Sequence, residues 1–304
     1  MPLPDSPYLA VPGQPFDLSE RPTAVDVFES RSEAKSAAKE CAEGISELAH
    51  KLYAMRGPKL LVLLQGMDTS GKDGTTKALF RRTPPLNLRV APFKAPTKRE
   101  LAHDFLWRVH QVVPGAGEIV LFNRSHYEDV LVVKVREFAD AETVEQRYGQ
   151  INDFERLLVE SGTTVLKFML HISPEVQAER LRDRLEDPGK RWKFNPGDLD
   201  DRALWPDFME AYETMVRRTS TEHAPWYVIP SDDKKTRNAL IARIVHRTLA
   251  DMDLHYPDPG YRPEDFEIEE VRIPSSIPPP SRGRWAAARS ARLGGGCFTF
   301  SIEK

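Results

Sequence analysis

The chain has 304 residues, 40% of them hydrophobic, enough to bury a substantial core in one large α/β domain or in two smaller ones. A formal net charge of −3 excludes a globally basic nucleic-acid binder, so any polyanionic ligand must be held by a local group of Lys and Arg. The two cysteines, Cys41 and Cys297, are too few for a disulfide framework, and no run suits a membrane span or an export signal, so the expectation is a soluble cytoplasmic protein with no membrane partner.

Proline marks the boundaries. Thirteen of the 25 prolines fall in residues 1–22 and 257–280. This predicts an extended N-terminal arm over 1–29 lying on the surface, a body over 30–256, and a Pro-rich tail over 257–304. The tail turns basic and Gly-rich, and from 275 onward it is expected to be largely disordered, with a basic anchoring role as the minor alternative.

The body opens with Ser30-x-x-Glu33, a capping box, followed by apolar residues at helical spacing from Ala34 to Leu52 until Gly57-Pro58 stops them. Leu60 to Leu64 is then a continuous apolar run between turn residues, as a strand buried on both faces of a parallel sheet should be. Similar runs recur at Arg89 to Phe93, Glu118 to Phe122, Thr163 to His171 and Pro225 to Pro230. Helical patterns lie between them at Lys72 to Arg82, Lys98 to Val113 behind the box Thr97-x-x-Glu100, and Glu142 to Glu160, and another starts at Ser173-Pro174. Parallel strands need helical crossovers, so the predicted fold is α/β: a three-layer α/β/α of the P-loop kinase type around a mostly five-stranded parallel sheet, with a helical basic lid.

Gly66-x4-Gly71-Lys72 sits between the first buried strand and a helix. There, backbone N–H groups and the helix dipole make an anion site, and the lysine can reach a transferring phosphoryl group. The residue after Lys72 is Asp73, not the Ser or Thr whose hydroxyl usually meets Mg2+. Asp68 inside the loop is the obvious replacement, because a carboxylate among phosphates is repelled unless a hard cation bridges them. The strand Glu118 to Phe122 ends in Asn123 where a Walker B carboxylate is expected, and the next carboxylates are Glu128 and Asp129.

Here the chain resembles the polyphosphate kinase 2 family, across about residues 30 to 256. The matching stretches are Gly66-Met67-Asp68, Gly71-Lys72-Asp73-Gly74, Lys94-Ala95-Pro96-Thr97, Glu100 to Arg108, Phe122-Asn123-Arg124-Ser125, Asp187-Pro188 with Lys190, Trp192 and Lys193, and Ala224 to Tyr227. The family moves a terminal phosphate between inorganic polyphosphate and nucleotides. Tyr127-Glu128-Asp129-Val130-Leu131 looks like the class III branch, which phosphorylates both nucleoside monophosphates and diphosphates; Glu128 is the position the family associates with accepting monophosphates.

Residues 180–193 supply the cationic group that the net charge demanded: Arg180, Arg182, Arg184, Lys190, Arg191 and Lys193 around Pro188-Gly189. Spacing alone leaves open a solvated helix with i,i+4 pairs or a lid over phosphates. The resemblance favours a lid, about 178–200. The expected catalytic set is Asp68, Lys72, Arg124, Asp129 and Arg184, with Mg2+, or Mn2+ in its place, on Asp68 and Asp129. Expected substrate contacts are Gly66, Gly71, Asp73, Gly74, Lys94, Asp104, Arg108, Glu128, Arg180, Lys190, Arg191 and Lys193, although for Asp104 a role in orienting Arg108 is an equal alternative. Trp107, Trp192, Trp205 and Trp226 are assigned to core or interface packing rather than base stacking, and in the run Asp232-Asp233-Lys234-Lys235 N-capping by Ser231 or Asp232 is weighed against polyphosphate binding. Expected partners are polyphosphate, AMP, ADP and ATP, guanine nucleotides, and further copies of the chain in a dimer or tetramer. An ATP-dependent nucleoside monophosphate kinase is the near alternative, and a non-catalytic P-loop sensor the distant one.

Overall fold

A computed structural model describes residues 6–268. In chain order the elements are β1 (Leu9–Ala10), α1 (Arg31–Met55), β2 (Lys59–Gln65), α2 (Lys72–Phe80), β3 (Leu88–Pro92), α3 (Lys98–Leu101), α4 (Trp107–His110), β4 (Ile119–Asn123), α5 (Val132–Val135), α6 (Ala141–Glu160), β5 (Thr163–His171), α7 (Pro174–Glu186), α8 (Gly197–Ala203), α9 (Trp205–Thr219), β6 (Trp226–Pro230) and α10 (Lys234–Ala250). The chain divides into two compact units, Met1–Pro257 and Asp258–Lys304. Of the second unit only residues 258–268 are described; they hold a 3-10 turn, Pro263–Asp265, beside an Arg262–Asp265 ion pair. The expectations of disorder from 275 and of an anchoring tail fall outside the described residues.

The sheet order is β1-β6-β5-β2-β4-β3, and all pairings from β6 to β3 are parallel. From Leu60 onward every β2 residue is buried. Because strand side chains alternate faces, the apolar runs divide into two cores. Leu61, Leu63, Val120, Phe122, Val165 and Trp226 face one way and meet Tyr148 and Ile151 of α6 and Tyr212 and Met215 of α9. Leu60, Val62, Leu64, Leu121, Phe168 and Ile229 face the other way and meet Ile45 and Leu52 of α1, Leu79 of α2 and Ile241 and Val245 of α10. The result is a mixed α/β fold with helices on both faces of a predominantly parallel sheet.

Local structure departs from the sequence reading in four places. The N-terminal arm is not merely laid on the surface: Leu9 and Ala10 are buried as an antiparallel edge strand on β6, with Leu9 opposite Tyr227. The helix expected over Lys98 to Val113 is two single turns, α3 and α4, because Asp104 Oδ1 accepts from the Leu106 N–H and turns the chain between them. At Ser30 the hydroxyl accepts from Glu33 N–H as a cap should, but the Glu33 carboxylate reaches the Glu29 N–H, so the box is not reciprocal. Finally, α10 is capped by Asp233, whose Oδ1 accepts from Lys235 and Thr236 N–H, rather than by Ser231 or Asp232.

Candidate active site

The turn from β2 into α2 lies at the carboxyl edge of the sheet, where open α/β folds bind ligands. Its backbone admits no side chain at two positions. Gly66 and Gly71 have φ of +146° and +108°, and a Cβ would come within 2.7 Å of Leu170 O at the first and within 2.0 Å of Arg237 Nη1 at the second. Lys72 follows, only 8% exposed, and donates to the carbonyls of Gly66 at 2.6 Å and Met67 at 3.2 Å. Burial, reinforced by the Arg124 guanidinium, pulls its ammonium down to about 8, against the opposing pull of Asp68.

Arg124 takes a left-handed backbone, φ 62°, directly after β4, and its amide donates to Leu64 O across the sheet. Its guanidinium forks between Asp68 Oδ1, through Nη2, and Glu128 Oε2, at 3.2 Å through Nη1. Glu128 and then Asp68 hold this arginine well above its ordinary range, despite burial. Burial pushes the Asp68 carboxyl up, but Arg124, Lys72 and Arg184 together bring it below the usual carboxylate value, so it is ionised.

A cavity of about 460 Å³ opens beside this turn. Eight cationic side chains line it, Lys72, Lys94, Arg124, Arg180, Arg184, Lys190, Lys193 and Lys234, against three acidic ones, Asp68, Asp73 and Asp183. Gly71 and Gly74 complete the floor. Asp73 accepts from Asn123 Nδ2 at 2.7 Å and faces Lys193 at 3.9 Å. Arg184 donates to Asp198 Oδ2 at 2.9 Å. Burial, and then the negative charge of Asp68, push Asp198 up to about 6.

Gly66, Asp104, Arg108, Glu128, Asp129 and Arg191 are not part of the lining of this cavity. Asp129 does not line it; Arg147 approaches its carboxylate at 3.4 Å and Arg108 at 4.0 Å, and burial still raises its pKa. Arg108 donates to Lys94 O at 2.9 Å and lies over the Phe93 ring, which fixes the Lys94 backbone. Asp104 serves the backbone turn already described, and the partners of Arg108 are Lys94 O, Asp129 and Phe93 rather than Asp104. Arg191 donates to Leu185 O at the exposed end of α7. Arg180 differs most from its expected role as a phosphate contact: its four terminal N–H groups point at the carbonyls of Thr69, Ser70, Ser231 and Asp232. Trp192 is 77% exposed and so lies outside the core of the chain, whereas Trp226 is fully buried.

Sequence reasoning missed Arg237, Asp183 and Asp198 as site residues, and named Asn123 only as the end of its strand and within a family-matching stretch. Lys234 stood in the run Asp232 to Lys235 weighed for polyphosphate binding, but nothing local pointed to Arg237, which reaches the turn from α10, 166 positions after Gly71. Among the described residues no group of three or more His, Cys, Asp or Glu gathers as an all-protein metal cage, and no helix is long and apolar enough to cross a membrane.

The family model for polyphosphate kinase 2 matches residues 29–257, three-quarters of the chain and the whole of this site. The chain belongs to the polyphosphate kinase 2 family. It is 51% identical over 225 residues to an AMP/ADP-polyphosphate phosphotransferase of Meiothermus ruber, covering 74% of this chain and 84% of that one. It is 36% identical over 273 residues to an ADP-polyphosphate phosphotransferase of Rhodopseudomonas palustris, covering 85% and 94%. The crystal structure of polyphosphate kinase 2 from Arthrobacter aurescens superposes with a TM-score of 0.82 at 38% identity, over 85% of this chain and 93% of that one. As a member of this family of enzymes, the chain has its cationic cavity inside the matched segment.

Proposed function

We propose that this protein transfers the terminal phosphate of inorganic polyphosphate to ADP and AMP, reversibly, through in-line displacement in the cavity beside Gly66–Gly71. The supporting observation is the charge of that cavity: eight Lys and Arg against three Asp, on a chain whose net charge is −3. Such an excess suits a polymer of phosphates together with an acceptor nucleotide. The range of acceptors follows the relative named for both AMP and ADP.

Little covalent chemistry is required of the protein, so its residues act by position and charge. The turn amides and Lys72 hold the transferring phosphoryl group, as in a P-loop. Arg124 and Arg184 neutralise charge spreading over its oxygens. Lys94, Lys190 and Lys193 extend the positive track, and segment 178–200 of the catalytic body 30–256 acts as a lid that excludes water. The donor chemistry suits Mg2+, or Mn2+ in its place, because Asp68 is an ionised carboxylate beside a phosphate cradle, and this ion favours one or two carboxylates plus substrate oxygens over a protein cage. Asp68, in the cavity lining, is the carboxylate placed to hold it; Asp129, the second carboxylate assigned to it, stands outside that lining beside Arg147 and Arg108. Bound there, the ion would offset negative charge on the reacting phosphates.

Purified protein incubated with Mg2+, defined polyphosphate and ADP should form ATP, and Lys72→Ala should lose about 100-fold or more in rate, the scale of a removed transition-state donor. Absence of ATP, or equal rates in the variant, would sink the assignment. Glu128→Asn should lose AMP phosphorylation in preference to ADP phosphorylation. If the variant keeps AMP and loses ADP, the class III reading is wrong.

A further inference from the structure

Two arginines lie beneath the Gly66–Gly71 turn, both at least nine-tenths buried and arriving from different elements. Arg180 comes from α7 and Arg237 from α10, at 7% and 1% exposure. Both donate to one carbonyl, Ser70 O, from Arg180 Nη1 at 3.3 Å and from Arg237 Nη1 at 2.8 Å. The remaining Arg237 donors meet only the Asn238 side-chain oxygen, at 2.9 and 3.2 Å. Those of Arg180 meet the carbonyls of Thr69, Ser231 and Asp232.

Every one of these acceptors is neutral. Of the acidic neighbours, Asp232 Oδ1 accepts from the Ser173 N–H and Asp233 pairs with Arg31 at 3.1 Å, while Glu179 and Asp183 act on Arg180 by charge without a hydrogen bond to it. Burial and then the adjoining Arg180 charge pull Arg237 down to about 9, with Asp233 opposing, and it is still a cation at neutral pH. Two buried positive charges with no paired carboxylate are costly unless something compensates them. The position of the pair indicates what that is. Gly71 lets Arg237 approach so closely that a Cβ there would lie 2.0 Å from Nη1 and 2.5 Å from the guanidinium carbon, so Arg237 stands directly behind a residue of the cavity lining, whereas Arg180 is itself part of that lining.

We propose that Arg237 is a buried positioning residue whose fixed positive charge, beside that of Arg180, acts through the turn and is completed by the bound phosphate anion. This rests on the phosphate-binding reading of the turn, not on which donor or acceptor the enzyme uses. Charge, rather than the hydrogen bonds to Ser70 O, is the working property.

The test uses inorganic tripolyphosphate as the probe, without nucleotide, in binding titrations of the full chain, its Arg237→Gln variant and its Arg237→Lys variant, followed by steady-state kinetics. Arg237→Gln should weaken tripolyphosphate binding by about tenfold and raise KM similarly with kcat within about threefold, because a nearby buried charge acts on every bound phosphate state alike. Arg237→Lys, which keeps charge and loses the fork, should stay within about threefold of the parent in affinity. A Gln variant that binds like the parent overturns the proposal, as does a Lys variant that loses about tenfold or more; the Lys result decides alone if the Gln variant does not fold. A parent chain that fails to bind tripolyphosphate overturns it as well. A parent that forms no ATP from polyphosphate, yet shows the predicted binding differences, removes the proposed function and leaves this inference standing.

Discussion

Lys72 carries its charge where water scarcely reaches, and this gives the site a pH limit. Its ammonium is lowered to about 8 by burial and by Arg124, so the cation the phosphoryl group needs is present below that value and lost as pH rises through it. Since kcat/KM reports groups of the free enzyme, it should fall above about pH 8. In Lys72→Arg that limb should disappear, because a guanidinium stays protonated throughout the range. Initial rates at low ADP across a pH series check both statements. The neighbouring Asp68 is harder to read from sequence: its place in the loop pointed to a metal, whereas its fork with Arg124 depends on an arginine 56 positions away.

At the scale of elements, a buried polar network fixes the segment that carries Glu128 and Asp129. Tyr127, in the 3-10 turn after β4, donates to Glu155 of α6 at 2.7 Å, and Lys167 of β5 donates to Glu155 at 2.6 Å and to Thr219 O of α9 at 2.7 Å. Lys167 and Glu155 are both fully buried. Burial pushes Glu155 up, but Lys167 and His126 more than reverse it and hold its carboxyl below the usual value, while burial pulls Lys167 down against the opposing charge of Glu155. Lys167→Met should destabilise the fold by about 3–5 kcal/mol, since it strands a buried carboxylate. Adding Glu155→Leu should recover most of that loss, and urea unfolding of the two variants measures it. Among the strands, the apolar runs of β2, β4, β5 and β6 were legible because each is buried on both faces, whereas β3 at the sheet edge is exposed or half-buried throughout, against the expectation for Arg89 to Phe93. Asp104 broke a helix whose apolar spacing looked continuous, because a side-chain bond to the backbone competes with the helical one and leaves hydrophobic periodicity unchanged.

For the molecule as a whole, charge is concentrated rather than abundant. A chain of net −3 gathers eight Lys and Arg around one cavity, so its attraction for polyanions is local and subject to salt screening. Raising NaCl from about 0.05 to 0.5 M should increase KM for polyphosphate several-fold, more for long chains than for tripolyphosphate, with kcat little altered. Thermal unfolding in the same buffers should shift far less, because the two cores are apolar and indifferent to screening. A KM unmoved by salt would count against an electrostatic polyphosphate track.

The sequence by itself determined the parallel sheet, the glycine turn and the family, because burial period, turn geometry and phosphate-loop spacing are all properties of contiguous residues. It could not assign Arg180 and Arg237, flag Asp198, or dock Leu9–Ala10 on β6. Those depend on which surfaces meet after the helices pack. Two guanidiniums converge on Ser70 O only because α7 and α10 approach the same end of β2, and long-range convergence of that kind leaves no period in the chain. Tertiary structure therefore decided how the turn is supported, while local sequence decided that there would be a turn to support.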